Sequence, residues 1–504
     1  MKRYILLCLL LPLLFSGCES FLSEVPDDRT EIKDLEAVKA LLVSAYPEGH
    51  YMMQAEWMSD NADDKGSWLI SVYPEVQEED YFWRDATGSS YDSSPYYWNA
   101  CYASIAAANH ALDAIEKLGS PQNLEPYRGE ALVARAYAHF MLVNLWGKHY
   151  DPATMDQDLG VPYVESIEKN ALVFYERNTV KEVYDRIERD LKEGMPLLQD
   201  NAYDVAKYHF TKAAANAFAA RFYLYRGEDW AKVIEYCSAI LGEGANFKNL
   251  LRNYAENYIP LSSNAMEYMK LYTNYSEPAI LLLTNAPSMW FRGASFSRYG
   301  LSLKKINEIY PNPEPVCGGK LIYPTFGSSP HYMVNKFAEY FKYAYPGAAV
   351  GIPYVFCPAL TVEEVALTRA EAYVMQKNYD GALADINTFM STRITDYNPT
   401  SHTVTFDKVK SYYSGLKNSV ELSPWYAGTL DADQMDMLRY ITDLRRREFC
   451  MEGIRWFDIK RFHIEVVHRV YESDETYVLG KDDLKRVLQI PSTALSYGMK
   501  PNPR

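Results

Sequence analysis

The chain contains three copies of a short phrase in which alanine precedes an aromatic residue. Ala134–Tyr137 reads ARAY, Ala220–Tyr223 reads ARFY and Ala370–Tyr373 reads AEAY. The last two copies are each followed by a turn and a second helical stretch, Ala231–Leu241 and Asp380–Arg393. A small residue lets two helices approach, and a tyrosine three positions on fills the groove between them. The phrase therefore predicts repeated helix pairs, each of which must bury its apolar side against the next.

The helix that carries the first copy is predicted over Glu125–Trp146. Apolar residues recur there at spacings of three and four, and Gly147 follows as a favoured C-terminal stop. A preceding helix is predicted from Asn99 to about Leu118, so the two form a hairpin. Any helical hairpin can use alanine and tyrosine in this way. Three copies nevertheless favour a mainly α, tetratricopeptide-like scaffold.

Two long segments, 48–98 and 250–360, interrupt the helical periodicity and predict irregular loops. Short β-strands are predicted only at Ala279–Thr284 and Leu321–Tyr323. Aromatic residues make up 14% of the chain, and 43 of them are tyrosines. Packing explains the tyrosines of the repeated phrase, whereas those of the two irregular segments lie beside most of the tryptophans. Long irregular stretches in a compact domain are usually functional.

The N-terminus has the pattern of a bacterial lipoprotein signal. Lys2 and Arg3 precede an apolar run over Ile5–Phe15, which is too short to span a bilayer, and Cys18 follows small residues. Phe15 stands where the motif usually has leucine. We expect cleavage after residue 17 and lipidation of Cys18, with an ordinary secreted protein as the alternative. Residues 18–30 are polar and acidic, as in a tether.

Charge and motifs exclude several classes of function. The formal net charge of −15 argues against nucleic acid and anionic membranes as main partners. Zinc-ligand spacings, GxSxG, HExxH and a P-loop are absent from the sequence. We expect no catalytic residues, no metal and no cofactor beyond the lipid on Cys18. Whether Cys317 and Cys357 form a disulfide is left open by the sequence.

Short phrases that recur in one known family lie along nearly the whole chain. Besides the lipobox at Cys18, they are Arg128–Ala131, Arg135–Tyr137, Leu145–Gly147, Gly160–Tyr163, Thr179–Val180, Thr361–Ala384, Leu444–Glu448, Glu452–Arg461, Leu488–Pro491 and Asn502–Pro503. In this order they resemble the SusD/RagB family of Bacteroidetes outer-membrane lipoproteins.

The resemblance implies a tetratricopeptide-like scaffold that holds a loop-rich face. It implies exposure on the cell surface, a SusC-like TonB-dependent β-barrel transporter as partner, and a glycan or peptide ligand that is bound without being altered. The expected organisation is signal peptide 1–17, tether 18–30, N-terminal helical region 31–250, loop-rich ligand face 251–360 and C-terminal helical region 361–504.

Two charged stretches invite functional readings that their spacing does not favour. Acidic residues interleave with the arginines of Arg445–Arg461, which predicts ion pairs within the protein rather than a phosphate site. Asp60–Gly66 suggests a calcium loop, but Lys65 and Val72 occupy ligand positions of the EF-hand register. A solvated turn is expected there, and a nonstandard cation site remains open.

Aromatic residues of the two irregular segments are the candidate ligand contacts, because sugar rings stack on Trp and Tyr. The candidates are Trp68, Tyr81, Trp83, Tyr96, Trp98, Trp290, Phe291 and Arg292.

Four functions remain in competition. The preferred one is a surface lipoprotein that binds an oligosaccharide and passes it to a SusC-like transporter. A peptide-binding receptor of the same family is the alternative. A surface glycoside hydrolase would need only two carboxylates facing each other. A scaffold with protein partners alone would leave a concave helical face open.

Overall fold

The structure, a computed structural model, describes residues 34–69, 74–168, 173–261, 263–289, 296–323, 325–416 and 419–504. The predicted signal peptide 1–17, Cys18 and the tether 18–30 lie outside the described residues. Trp290, Phe291 and Arg292 of the predicted ligand contacts also lie outside them.

Helices provide most of the regular structure. In chain order they are α1 (Leu35–Leu42), α2 (Met52–Met58), α3 (Pro74–Tyr81), α4 (Ser94–Lys117), α5 (Glu125–Trp146), α6 (Val180–Gly194), α7 (Lys212–Arg226), α8 (Trp230–Leu241), α9 (Ala265–Tyr272), α10 (Leu303–Ile309), α11 (Val362–Met375), α12 (Tyr379–Met390), α13 (Phe406–Tyr413), α14 (Ala432–Glu448), α15 (Ile454–Arg461) and α16 (Ser492–Ser496).

The repeated phrase lies in helices that pair with their neighbours. Helix α5 packs against α4 and α6, α7 pairs with α8, and α11 pairs with α12. Gly227 ends α7 in the left-handed region at φ +70°, and the Asp229 side chain accepts the Lys232 amide at 3.1 Å to begin α8. Helix α11 also packs on α8, which stacks consecutive pairs. The predicted mainly α, tetratricopeptide-like scaffold is confirmed.

The tyrosines of the repeated phrase serve packing, as predicted. Tyr137 is buried and meets Phe218 edge-on, with ring centroids 5.4 Å apart. Tyr223 is buried and stacks on Tyr236 across the α7–α8 hairpin at 5.6 Å. Tyr373 is half-buried against the same core.

Short strands complete the fold. They are β1 (Asp63–Asp64), β2 (Ile280–Pro287), β3 (Tyr299–Gly300), β4 (Thr325–Ser328), β5 (His331–Val334), β6 (Glu339–Tyr343), β7 (Gly351–Thr361), β8 (Val466–Arg469) and β9 (Thr476–Leu479). Strands β2, β7 and β6 form an antiparallel sheet in that order, and β1–β3, β4–β5 and β8–β9 form two-stranded ribbons. The predicted strand at Ala279–Thr284 is confirmed as part of β2, whereas Leu321 makes only an isolated bridge to Ile394.

The two predicted irregular segments contain more helix than expected. Every residue of α2 is buried, so this helix has no polar face and its sequence shows no helical period. Helix α4 begins at Ser94 rather than Asn99, because Ser93 caps it and Pro95 occupies its first turn. Segment 250–360 contains α9 and α10, which are too short for a clear periodic pattern.

Buried ion pairs tie α14 to the repeat scaffold. Glu448 and Arg393 are fully buried and joined by two hydrogen bonds of 2.8 Å, and Arg393 also reaches Glu363 at 3.3 Å. Burial alone would raise the pKa of the Glu448 carboxyl, but the Arg393 guanidinium outweighs it and holds that pKa below its usual value.

Helix α15 is tied in the same way. Asp458 accepts from Arg445 at 3.0 Å and from Arg461 at 2.9 Å, and Arg461 donates to Glu371 of α11 at 2.7 Å. The prediction that the charges of Arg445–Arg461 pair within the protein is confirmed.

The predicted solvated turn at Asp60–Gly66 is wrong. Asp60 is buried and accepts two hydrogen bonds of 2.8 Å from Arg455, while Asp64 accepts from Arg298 at 2.7 Å. Burial would raise the pKa of Asp60, but Arg446 and Arg455 outweigh it and hold that pKa well below its usual range. Arginines therefore pair with the Asp60 and Asp64 carboxylates of the stretch that suggested a calcium loop. Within the described ranges, no group of three or more His, Cys, Asp and Glu side chains is arranged to hold a metal.

All five cysteines of the described residues are buried free thiols, so Cys317 and Cys357 do not pair. Burial raises the pKa of both thiols. In the part of the chain that the structure covers, no helix has both the length and the apolar character to traverse a bilayer.

Replacing Glu448 by Gln should destabilise the protein by about 3–5 kcal/mol, because the buried Arg393 would lose its two contacts of 2.8 Å to a carboxylate and keep only the longer one to Glu363. Chemical denaturation of the purified chain measures this difference. The matched control is Glu267→Gln in the exposed Lys270–Glu267 pair, which should change stability by less than about 0.5 kcal/mol. Equal effects of the two substitutions would contradict a structural role for the buried network.

Candidate functional site

Three predicted ligand contacts are buried in the core. Tyr81 and Trp83 stack on opposite sides of His468, with centroid distances of 4.1 and 4.4 Å. The Trp83 indole also donates to the Met58 carbonyl at 3.0 Å. Trp98 meets Trp146 edge-on at 5.0 Å. Tyr81, Trp83 and Trp98 are 0%, 6% and 4% exposed, so a ligand cannot reach these rings and the expectation that they bind one is corrected.

The two remaining described candidates are accessible. Trp68 is 57% exposed and contacts Gly66, away from any groove described below. Tyr96 is half-buried in the first turn of α4 and lines a groove between the first helices and the β2–β7–β6 sheet. Partial burial raises the pKa of Tyr96 to about 12, so its hydroxyl remains a neutral hydrogen-bonding group.

That groove, called the aromatic groove below, has a volume of about 1140 Å³. Helix α1, the first turns of α4 and α5, segment 202–209 and the face of the β2–β7–β6 sheet enclose it. Its aromatic lining residues are Tyr46, Tyr96, Tyr127, Tyr203, Tyr208, Tyr340 and Phe356.

The sheet contributes a continuous row of rings to one wall of the aromatic groove. Tyr340 pairs with Tyr354 across β6 and β7, and Phe356 lies two residues further on the same face of β7. Tyr340 stacks on Phe356 at 4.7 Å, and Phe356 meets Tyr208 at 6.2 Å. Tyr208 in turn contacts Tyr275 at 6.2 Å. The half-buried rings of Tyr208, Tyr340 and Phe356 form an apolar platform, while Tyr354 is buried and Tyr275 is exposed.

The opposite wall is hydrogen-bonded around Glu130 of α5. Its Oε1 accepts the Tyr46 hydroxyl at 2.6 Å and lies 2.7 Å from His209 Nδ1. Tyr203 stacks on His209 at 4.3 Å. Burial, with Glu130 nearby, raises the pKa of both tyrosines well above the usual value. This wall is therefore fixed by its own hydrogen bonds, since the Tyr46 hydroxyl also accepts from the Phe210 amide at 2.8 Å.

An ion pair closes the rim between the two walls. Lys342 of β6 donates to Glu48 Oε1 at 2.7 Å, and the Tyr354 hydroxyl donates to the same atom at 2.8 Å. Burial would raise the pKa of Glu48, but these two donors outweigh it and lower that pKa. The β6–β7 hairpin is thus held against the segment that follows α1.

A second groove of about 1000 Å³ lies beside the end of α8 and the α12 helix. Its lining is dominated by asparagine and serine, and Tyr397 is its one aromatic lining residue among those described. The aromatic groove is the better candidate site, because ligand sites combine large apolar surfaces with a few placed polar groups.

Sequence reasoning selected Tyr96 and missed most of the ring platform. Tyr340 and Phe356 lie within the predicted ligand-face segment but were not singled out. The signal was the spacing of Tyr354 and Phe356 around Val355, which places both rings on one face of a strand, whereas Tyr340 and Phe341 are adjacent and give no alternation. Tyr208 has no such pattern, because it lies in an isolated helical turn.

Comparisons with known proteins agree with the fold. Residues 20–224 match the family described as "Starch-binding associating with outer membrane", and residues 363–496 match the SusD family. SusD-like protein P38 from Formosa agariphila is 26% identical over 272 residues, which cover 51% of this chain and 46% of P38. SusD-like protein P2 from the same organism is 26% identical over 180 residues, 35% of this chain and 33% of P2. The matched part spans less than half of each relative.

Solved structures share the architecture at low sequence identity. A SusD superfamily protein from Bacteroides thetaiotaomicron superimposes with a TM-score of 0.66 at 18% identity, covering 94% of this chain and 100% of that one. A sugar-binding protein, described as putative, from Bacteroides vulgatus gives 0.65 at 19% identity, covering 94% and 99%. Fold and sequence thus define a helical-repeat protein of an outer-membrane-associated class. The chain belongs to the SusD/RagB family.

The positions of Tyr81 and Trp68 predict a large and a small loss of stability, respectively, when each side chain is replaced by alanine. Tyr81→Ala should lower the free energy of unfolding by about 3–5 kcal/mol, because it leaves a cavity beside His468. Trp68→Ala should change it by less than about 0.5 kcal/mol, since the indole is exposed. Urea denaturation of the two variants distinguishes them, and a larger loss for Trp68→Ala would contradict this placement.

Proposed function

We propose that the protein is a surface lipoprotein that binds an oligosaccharide in the aromatic groove without altering it. The observation that carries this proposal is the row of rings formed by Tyr208, Phe356 and Tyr340. Sugar rings have apolar C–H faces that pack on aromatic rings, and their hydroxyls pair with neutral donors and acceptors. On the opposite wall the His209 imidazole is partly exposed and held at Nδ1 by Glu130, so it is a hydrogen-bonding group within the groove.

The size of the aromatic groove supports an oligosaccharide rather than a single sugar. Sites for drug-sized ligands have volumes of about 300–1,000 Å³, and the groove reaches about 1140 Å³. The matched family description names starch binding. Family membership adds a SusC-like TonB-dependent transporter to the proposal as the partner that receives the ligand, and a lipid on Cys18 as the membrane anchor.

A peptide ligand is the second candidate, and one observation favours it. Among the described strands, β6 lies at an edge of the β2–β7–β6 sheet, and an edge is the position at which extended peptides add by strand pairing. A glycan bound through the rings and a peptide bound through this edge respond differently to side-chain substitutions, because the edge binds through the main chain.

Binding to a glycan array, followed by analysis of the recovered glycans, tests the proposal. Tyr340→Ala should weaken binding of the retained glycan about tenfold, because it removes the centre of the ring platform. The matched control is Tyr343→Ala on the same strand, whose ring is 55% exposed and lies on the other face, and its affinity should stay within about twofold of the parent.

Three results would contradict the proposal. Equal losses of glycan affinity for the two variants would show that the ring platform is not part of the binding site. Retention of peptides with no glycan binding would favour the second candidate, and recovery of shortened glycans would indicate a hydrolase. Thermal unfolding of both variants checks that the fold is retained.

The membrane anchor has a separate test. Cys18→Ala should move the protein from the membrane fraction to the soluble fraction, because the thiol that carries the lipid is lost. Fractionation of cells that express each form measures this change. Continued retention of Cys18→Ala in the membrane fraction would contradict lipidation at this residue.

A further inference from the structure

The charges that line the aromatic groove are unbalanced. Its lining contains four carboxyl groups and two ammonium groups, belonging to Glu36, Glu48, Glu130, Asp204, Lys39 and Lys342. The excess of carboxyl groups agrees in sign with the net charge of −15 for the whole chain.

Both ammonium groups are already paired inside the groove. Lys39 donates to Glu36 at 2.8 Å and lies over the Tyr127 ring at 5.8 Å from its centroid. Lys342 donates to Glu48 at 2.7 Å. Each lysine charge is therefore balanced by a carboxylate beside it, so neither lysine gives the groove a net positive charge.

The groove also lacks the usual receptor for an anionic sugar. Sulfate and carboxylate groups are typically held by the planar, two-pronged donor set of arginine. No arginine belongs to the lining that the described residues provide. Glu130 instead is buried in one wall, and the exposed Asp204 lies at the edge of the same groove.

We propose that the aromatic groove selects uncharged oligosaccharides and discriminates against sulfated and uronic-acid-containing ones. Stacking on the sheet rings is available to both kinds of glycan, so it does not separate them. The difference arises because like charges brought together at a binding site are costly. This inference rests on the proposed function, since it concerns the ligand class of the same groove.

Matched ligands test the inference. The probes are a neutral oligosaccharide retained on the array, its O-sulfated derivative and its derivative with primary alcohols oxidised to carboxylates. Calorimetry should give affinities at least about tenfold weaker for the two anionic forms. The penalty should shrink as salt rises from about 10 mM to about 150 mM, because surface charges are then screened.

Reversing one groove charge should change the selectivity. Asp204→Lys should lower the ratio of the affinity for the neutral glycan to that for its anionic derivative at least about threefold. The control Glu267→Lys makes the same charge change at an exposed helical residue outside the groove lining and should leave that ratio within about 1.5-fold of the parent value. This control separates a local effect from the change in net charge.

The outcomes separate this inference from the function beneath it. Equal or tighter binding of the anionic derivatives would overturn the inference while leaving glycan binding intact. An unchanged ratio of neutral to anionic affinity in Asp204→Lys would show that the groove charges do not cause the selectivity. Absence of binding by every glycan, neutral or charged, would overturn the proposed function and the inference with it.

Discussion

Pairing of buried charge is the interaction on which the rest of the structure depends. Glu448 and Arg393 are both fully buried, and Asp458 is shared by Arg445 and Arg461 in an equally buried position. A charge removed from water is tolerated only where an opposite charge or several hydrogen bonds face it. Each of these side chains therefore requires the helix that carries its partner to be in place.

Buried charge pairs also hold the sheet that forms one wall of the candidate site. Strand β7 ends at Thr361 and continues directly into α11, whose first turn contains Glu363 and Glu364. Glu363 binds Arg252 at 3.0 Å, and Glu364 accepts from Arg221 of α7 at 2.7 Å. These pairs fix the end of the strand that presents Phe356 to the groove. The ring platform thus stands on a rigid scaffold rather than on an isolated loop.

The local sequence pattern was enough to predict the helix pairs and their packing tyrosines. Helix geometry alone places a small residue and an aromatic residue three positions later on the same face. It was not enough for α2, which is buried on all sides and has no polar stripe. Nor could it place Asp60, whose partner Arg455 lies nearly four hundred residues away in the chain. Long-range pairing decides whether a polar loop is solvated or buried.

The candidate site was only partly predictable for the same reason. Tyr96 and Trp98 are two residues apart in one helix, yet one lines the groove and the other is buried against Trp146. Both residues lie in the same stretch of sequence, and the packing of α5 against α4 decides which side of the helix is buried. Aromatic composition identified the right segments of the chain, whereas the exposed ring faces required the tertiary structure.

A crystal structure of the protein with a retained oligosaccharide tests the central claim most directly. The account predicts sugar rings packed against the outer side of the Tyr340–Phe356 stack, with sugar hydroxyls within hydrogen-bonding distance of the wall that contains His209. A glycan bound in the asparagine-lined groove beside α8, with the ring platform empty, would contradict it.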